Sequence, residues 1–317
     1  MRTLRNILTN PWALAGIVIY FASLALLWRN KNFGHEDAIW ELIIFGFAFP
    51  LVAWLTTLRA KPLSIAARRS AAEMALLFAC LAGVTLYLIW GSTLSEMLVP
   101  YAWIGSPRSK FVIVFARKLI VFVAIPFLLF RFVFGYRWRD YGLQFAGLRA
   151  LTGNHLAVVL ALSGAILVFQ YFLGGGAAPL RRGEFSAAQL AIGLPLCFLW
   201  LFLEAGLVEE FFFRGLLQTR LAVWFESEVT GVALMALAFG LAHAPGFILR
   251  RAGLAEAIGQ NPSAADAIAY AIVVLSVGGI FFGIVWARTR NLYAVMVIHA
   301  ATDLLPNLKE FVGTWGI

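Results

Sequence analysis

The sequence is short of charge. Asp, Glu, Lys and Arg make up only 13% of its 317 residues, against 62% hydrophobic residues. No soluble core buries that much apolar surface, so a soluble domain is excluded. Cysteine is nearly absent: Cys80 and Cys197 both fall inside apolar runs and share no motif spacing. That excludes a disulfide framework and a cysteine metal site, leaving two small hydrophobes. Lysine is scarce as well, five against twenty arginines, a balance that leans bacterial. Polarity does not alternate within the apolar runs, which excludes a β-barrel. No small-residue cleavage site follows the first run at signal-peptide distance, so that run reads as a retained span.

What is present is a series of continuous apolar runs, each near the roughly 20 residues of helix that cross a bilayer. They lie near 11–28, 38–58, 72–91, 111–130, 155–173, 187–203, 229–249 and 266–287, with a shorter stretch at 292–305. The pattern predicts an all-α, polytopic integral membrane bundle of about eight or nine transmembrane helices.

The net charge of +9 sits in clusters between the runs rather than on one face. Arg59, Lys61, Arg68 and Arg69 form one dense cluster; Arg131, Arg137, Arg139 and Arg149 form another. With Arg2 and Arg5 at a cytoplasmic N-terminus, both clusters fall inside, as the positive-inside rule asks. The basic balance thus serves topology and lipid contact, not nucleic acid. Pairs such as Arg250/Arg251 mark other loops. The polar-aromatic stretch 135–154 reads as an amphipathic cytoplasmic connector. It divides an N-terminal group of helices, residues 1–150, from a C-terminal core, residues 151–317.

Acids and histidines are uneven along the chain. Glu41 and Glu73 lie near run ends, where snorkelling or a loop partner explains them, and His35 and His155 sit at span ends as solvated interface residues. The C-terminal core is different. "EAGLVEEFFFR" places Glu204, Glu209, Glu210 and Arg214 in one apolar segment. A charge at the bilayer centre costs roughly 2.5–3.5 kcal/mol, while each Leu or Phe returns about 0.3–0.6. Such groups must pair, face protein or line a wet cavity. Glu210 and Arg214 are spaced i, i+4 and can pair. Glu209, about 100° away, has no cation nearby in the sequence and reads as an uncompensated carboxylate suited to a general base. Glu204 has no assigned role.

"FGLAH" sets Phe239 one helical turn before His243, so a ring can pack beside the imidazole, and the Pro245–Gly246 step predicts a helix break that opens a cavity. "HAATD" stacks His299 and Asp303 on one face, with Pro306 as a helix stop. Each motif alone has a plainer reading: a buried ion pair with a spectator acid, a satisfied core histidine, a helix-stabilising pair. Together they converge on either a water-activating acid–base site or a metal site.

These three motifs, in this order and on successive membrane segments, resemble those of the CPBP family, which includes CAAX prenyl endopeptidases and bacteriocin-processing or immunity (Abi) proteins. The resemblance covers about 187–310 and implies endopeptidase chemistry in an intramembrane cavity. Carried over by position, it makes Glu209 the general base for the attacking water, with His243 helping to hold it. His299 and Asp303 would stabilise the oxyanion, and Glu210 with Arg214 would brace the helix and tune Glu209. Prenyl-protein-processing members typically have Asn where this chain has Asp303. An ionised Asp cannot donate to an oxyanion, so Asp303 would instead orient His299 or act protonated.

No His-Glu-x-x-His helix is present, which favours a site without metal or other cofactor; a zinc ion would take Glu209, His243 and His299. The expected partner is a membrane protein or peptide substrate within the bilayer of a bacterial inner membrane. A proton-coupled transporter and a non-catalytic immunity or scaffold protein are the rival readings.

Overall fold

A computed structural model describes residues 7–98, 105–249, 256–259 and 261–317. Among the described residues the chain is helical and has no strand; Arg2, Arg5, Arg250 and Arg251 lie outside them. The longer helices are α1 (Pro11–Leu27), α2 (Ala38–Thr56), α3 (Ala71–Leu98), α4 (Pro107–Phe134), α5 (Phe145–Leu151), α6 (Leu156–Phe172), α7 (Ala187–Trp224), α8 (Glu228–Leu249), α9 (Ala264–Thr289) and α10 (Leu292–Trp315). Six of them, α2, α3, α4, α7, α8 and α9, contain stretches long and apolar enough to cross a membrane, and α5 with α6 forms a seventh if that bent pair is one span. The molecule is a helical membrane bundle.

Local sequence sets several starts. Asn10 caps α1 by accepting from the Ala13 N–H at 2.9 Å, Ser106 caps α4 through the Ser109 N–H, and Ser186 forms a capping box with Gln189 at α7. In each case a side-chain oxygen satisfies an amide that the first turn leaves open.

The helices form two compact units that alternate along the chain. The first comprises Met1–Leu55, Ala66–Ser92 and Phe213–Ala287; the second comprises Thr56–Ile65, Thr93–Phe212 and Arg288–Ile317. Lipid gives helices no hydrophobic reason to associate, so close packing must hold them together. In the second unit α10 packs against α6 and the first half of α7. A Cβ on Gly193 would lie 2.8 Å from Val312 Cγ2, and one on Gly206 would lie 3.0 Å from the Met296 carbonyl. Cys197, fully buried, lies in the same cluster as Ala300, Leu304 and Leu308. These small residues let α10 lie against α7 closely enough for their polar groups to meet.

The first unit uses the same device. A Cβ on Gly240 of α8 would sit 2.1 Å from Ser276 Oγ and 2.7 Å from the Ala271 carbonyl, both on α9, and one on Gly279 would meet the Ala236 backbone at 3.0 Å.

Several expectations need correction. The apolar run at 187–203 is only the start of a 38-residue helix, because partners on other helices satisfy the acids that follow it. Pro245 and Pro306 stop nothing; both lie inside their helices. At Pro306 the reason is visible. Its missing N–H would leave the Thr302 carbonyl without its helical donor, and the Gln170 side-chain amide of α6 donates to that carbonyl instead.

His155 is fully buried, not solvated. Its Nε2 donates to the Lys61 carbonyl at 3.1 Å and its Nδ1 accepts from Asn291 at 3.0 Å, tying the 56–65 connector to the start of α10. Glu73 does not snorkel either. In the first unit it lies 3.7 Å from Arg220 Nε, each side chain 1% exposed.

Candidate active site

The site is built on α7. Its hydrogen bonding is of the π type, i→i+5, over Phe202–Leu207 and again from Phe211 to Gln218, with Val208–Glu210 α-helical between. Such widened turns recur at functional sites because they re-aim side chains. In a regular α-helix, residues five apart are rotated about 140° from each other. The π register turns Glu204 and Glu209 toward the same side. There both meet Lys118 of α4, whose Nζ donates to Glu204 Oε1 at 2.7 Å and to Glu209 Oε1 at 3.1 Å.

Glu209 is therefore compensated, contrary to the sequence expectation. Its cation comes from a helix 91 residues earlier, where no local spacing could reveal it. The same ammonium gives Glu204 the partner that the sequence left open.

On the other side of Glu210 stands α10. His299 Nδ1 donates to Glu210 Oε1 at 2.5 Å, while Nε2 lies 3.4 Å from Asp303 Oδ2 and 4.0 Å from Glu209 Oε2. Carboxylate oxygens facing both ring nitrogens suit an imidazolium, which donates at both. The i, i+4 spacing of His299 and Asp303 does bring them together, as the sequence predicts. Accessibility then separates the acids: the Glu210 side chain is 0% exposed, Glu209 15% and Asp303 33%. Glu209 and Asp303 are partly accessible, and Glu210 is sealed.

Arg214 and the second motif belong to the first unit. The Arg214 guanidinium lies over the Phe239 ring at 4.4 Å and over Phe282 at 5.0 Å. Phe239 also meets Phe213, centroid to centroid at 5.2 Å, and His243 at 5.0 Å, edge-on. The aromatic–imidazole contact expected from "FGLAH" is present. His243 is half-buried, and its Nδ1 donates to the Phe239 carbonyl at 2.8 Å. In a neutral ring that bond puts the lone pair on Nε2.

Among the described residues, no three His, Cys, Asp or Glu side chains are grouped so as to hold a metal ion. In the second unit Lys118 occupies Oε1 of Glu209, and both nitrogens of His299 face carboxylates.

Residues 191–305 match the model of the Rce1-like family, described as type II CAAX prenyl endopeptidase Rce1-like. This stretch is similar to the CAAX proteases. The Rce1-like match runs from α7 into α10 and holds Glu204, Glu209, Glu210, Arg214, Phe239, His243, His299 and Asp303. Lys118 lies outside it. No curated protein and no solved structure matches the chain.

Proposed function

We propose that the chain is an intramembrane endopeptidase that hydrolyses a peptide bond of a membrane-associated protein or peptide with a water activated by Glu209. The observation that carries this reading is the arrangement around His299, inside the Rce1-like segment. A buried carboxylate holds Nδ1, and Nε2 faces the accessible carboxylate of Glu209 across 4.0 Å. That gap is too long for a direct hydrogen bond and suits a bridging oxygen atom.

Glu209 takes a proton from the water as the water oxygen bonds to the scissile carbonyl carbon. The carbonyl electron pair moves onto its oxygen, where the Nε2–H of His299 stabilises the developing charge. The proton then passes to the leaving nitrogen as the C–N bond breaks and the carbonyl re-forms. Glu210 fixes the ring and supports its charge. Asp303, an acceptor when ionised, orients Nε2 rather than binding the oxyanion itself. The resemblance gives His243 a part in holding the water.

The test compares membrane and C-terminal peptides from cells carrying wild type or Glu209→Gln, with and without chelator. Peptides that depend on Glu209 and persist under chelator are expected. Identical peptide sets from the two would refute the endopeptidase reading, and loss of the products under chelator would overturn the metal-independent scheme.

A further inference from the structure

We propose that Lys118 is a positioning residue of this site, holding the Glu209 carboxylate in place and remaining neutralised by Glu204 while Glu209 carries the proton. The proposal rests on the endopeptidase reading and adds a residue from α4, outside the segment similar to the CAAX proteases.

An ammonium inside a bilayer-length helix is costly unless it is paired. Lys118 is paired twice, with Glu204 Oε1 at 2.7 Å and Glu209 Oε1 at 3.1 Å. Both contacts are charge-assisted, the one to Glu204 the shorter, and together they engage Oε1 of Glu209. With Oε1 held by Lys118, Glu209 turns Oε2 toward His299, the side where the water must sit.

The second acid is needed for the cycle to close. When Glu209 accepts a proton its charge is gone, and a lysine paired to it alone would face an uncompensated state. Glu204 removes that difficulty, since its carboxylate keeps the ammonium paired at every stage. Charged and titratable groups near Glu209 in this unit include Lys118, with Arg117 beside it on α4; Glu204 and Glu210 on α7; and His299 and Asp303 on α10. Lys118 contacts both Glu204 and Glu209.

The test uses the full chain in lipid nanodiscs with a peptide substrate found by the comparison above. Lys118→Met is expected to lower kcat about 100-fold, the order that a misplacement of about 1 Å costs, with KM little changed. Lys118→Arg, which restores a cation, should recover much of that loss, and a merely structural lysine would show no such split. Glu204→Gln, close to isosteric, should lower kcat by about tenfold, the scale of one hydrogen bond to a charged group. It carries the test if Lys118→Met does not fold.

Full kcat in folded Lys118→Met or in Glu204→Gln, beside an inactive Glu209→Gln, would overturn the proposal and leave the endopeptidase reading standing. Equal turnover by wild type and Glu209→Gln would instead overturn the reading itself.

Discussion

Two clusters of buried charge, one in each unit, use similar residues for different ends. In the first unit Glu73 and Arg220 lie side by side, each 1% exposed, and Arg220 also donates to the Gly215 carbonyl at 3.0 Å. In the second unit Glu204, Glu209, Glu210 and Asp303 gather around Lys118 and His299, with side-chain exposures from 0 to 33%. The first cluster is sealed, so its charges can only hold helices together. The second is graded from sealed at Glu210 to open at Asp303. The gradient sets a sealed carboxylate that holds the His299 ring beside carboxylates that are partly accessible.

Deleting the same charge in each cluster tests this contrast most strongly. Glu209→Gln should reduce turnover by roughly 10²- to 10⁴-fold, the usual contribution of a general base, with thermal unfolding in detergent close to wild type. Glu73→Gln should do the reverse. It leaves Arg220 buried beside a neutral amide and should cost about 3 kcal/mol of stability, while kcat per folded molecule stays normal. If Glu73→Gln stopped catalysis without lowering the unfolding temperature, the contrast would be wrong.

A smaller effect is expected at the open end of the second cluster. Asp303→Asn keeps an acceptor near Nε2 and removes one charge, so kcat should change by less than about tenfold, within the worth of one charged hydrogen bond. A complete loss would make Asp303, not Glu209, the base.

The smallest effect belongs to an exposed cluster. Lys309 and Arg182 both bond to Glu184, Lys309 first in weight, and hold its carboxyl below the usual carboxylate range. A lowered pKa contributes stability above the ordinary carboxylate pKa, and that contribution is lost as pH falls through the lowered value. Solvent and salt screen so exposed a group. Glu184→Gln should leave the unfolding temperature at neutral pH within error, and a clear drop would show that exposure is a poor guide to which charges matter.

Much of this could be read from the residues. The apolar runs gave the helical membrane bundle, and the i, i+4 spacings at Phe239/His243 and His299/Asp303 correspond to real contacts. The misses share one cause: they depend on helices far apart in sequence or on a change of helical register. Lys118 drew no reading, although it lies inside the apolar run at 111–130. Glu204 looked detached from Glu209 because α-helical geometry separates positions five apart. Glu73 and His155 looked like interface residues until Arg220, and then Lys61 and Asn291, were seen to meet them. The prolines looked like breaks because sequence does not reveal that Gln170 serves the carbonyl freed by Pro306.

The sequence by itself determined that the chain is helical and membrane-embedded, since hydrophobicity and period are local properties. It also determined which acids and histidines are costly enough to need a reason. Tertiary structure decided what satisfies them. An ion pair in an apolar setting is stable only when both members arrive together, and here the members come from α4, α7 and α10.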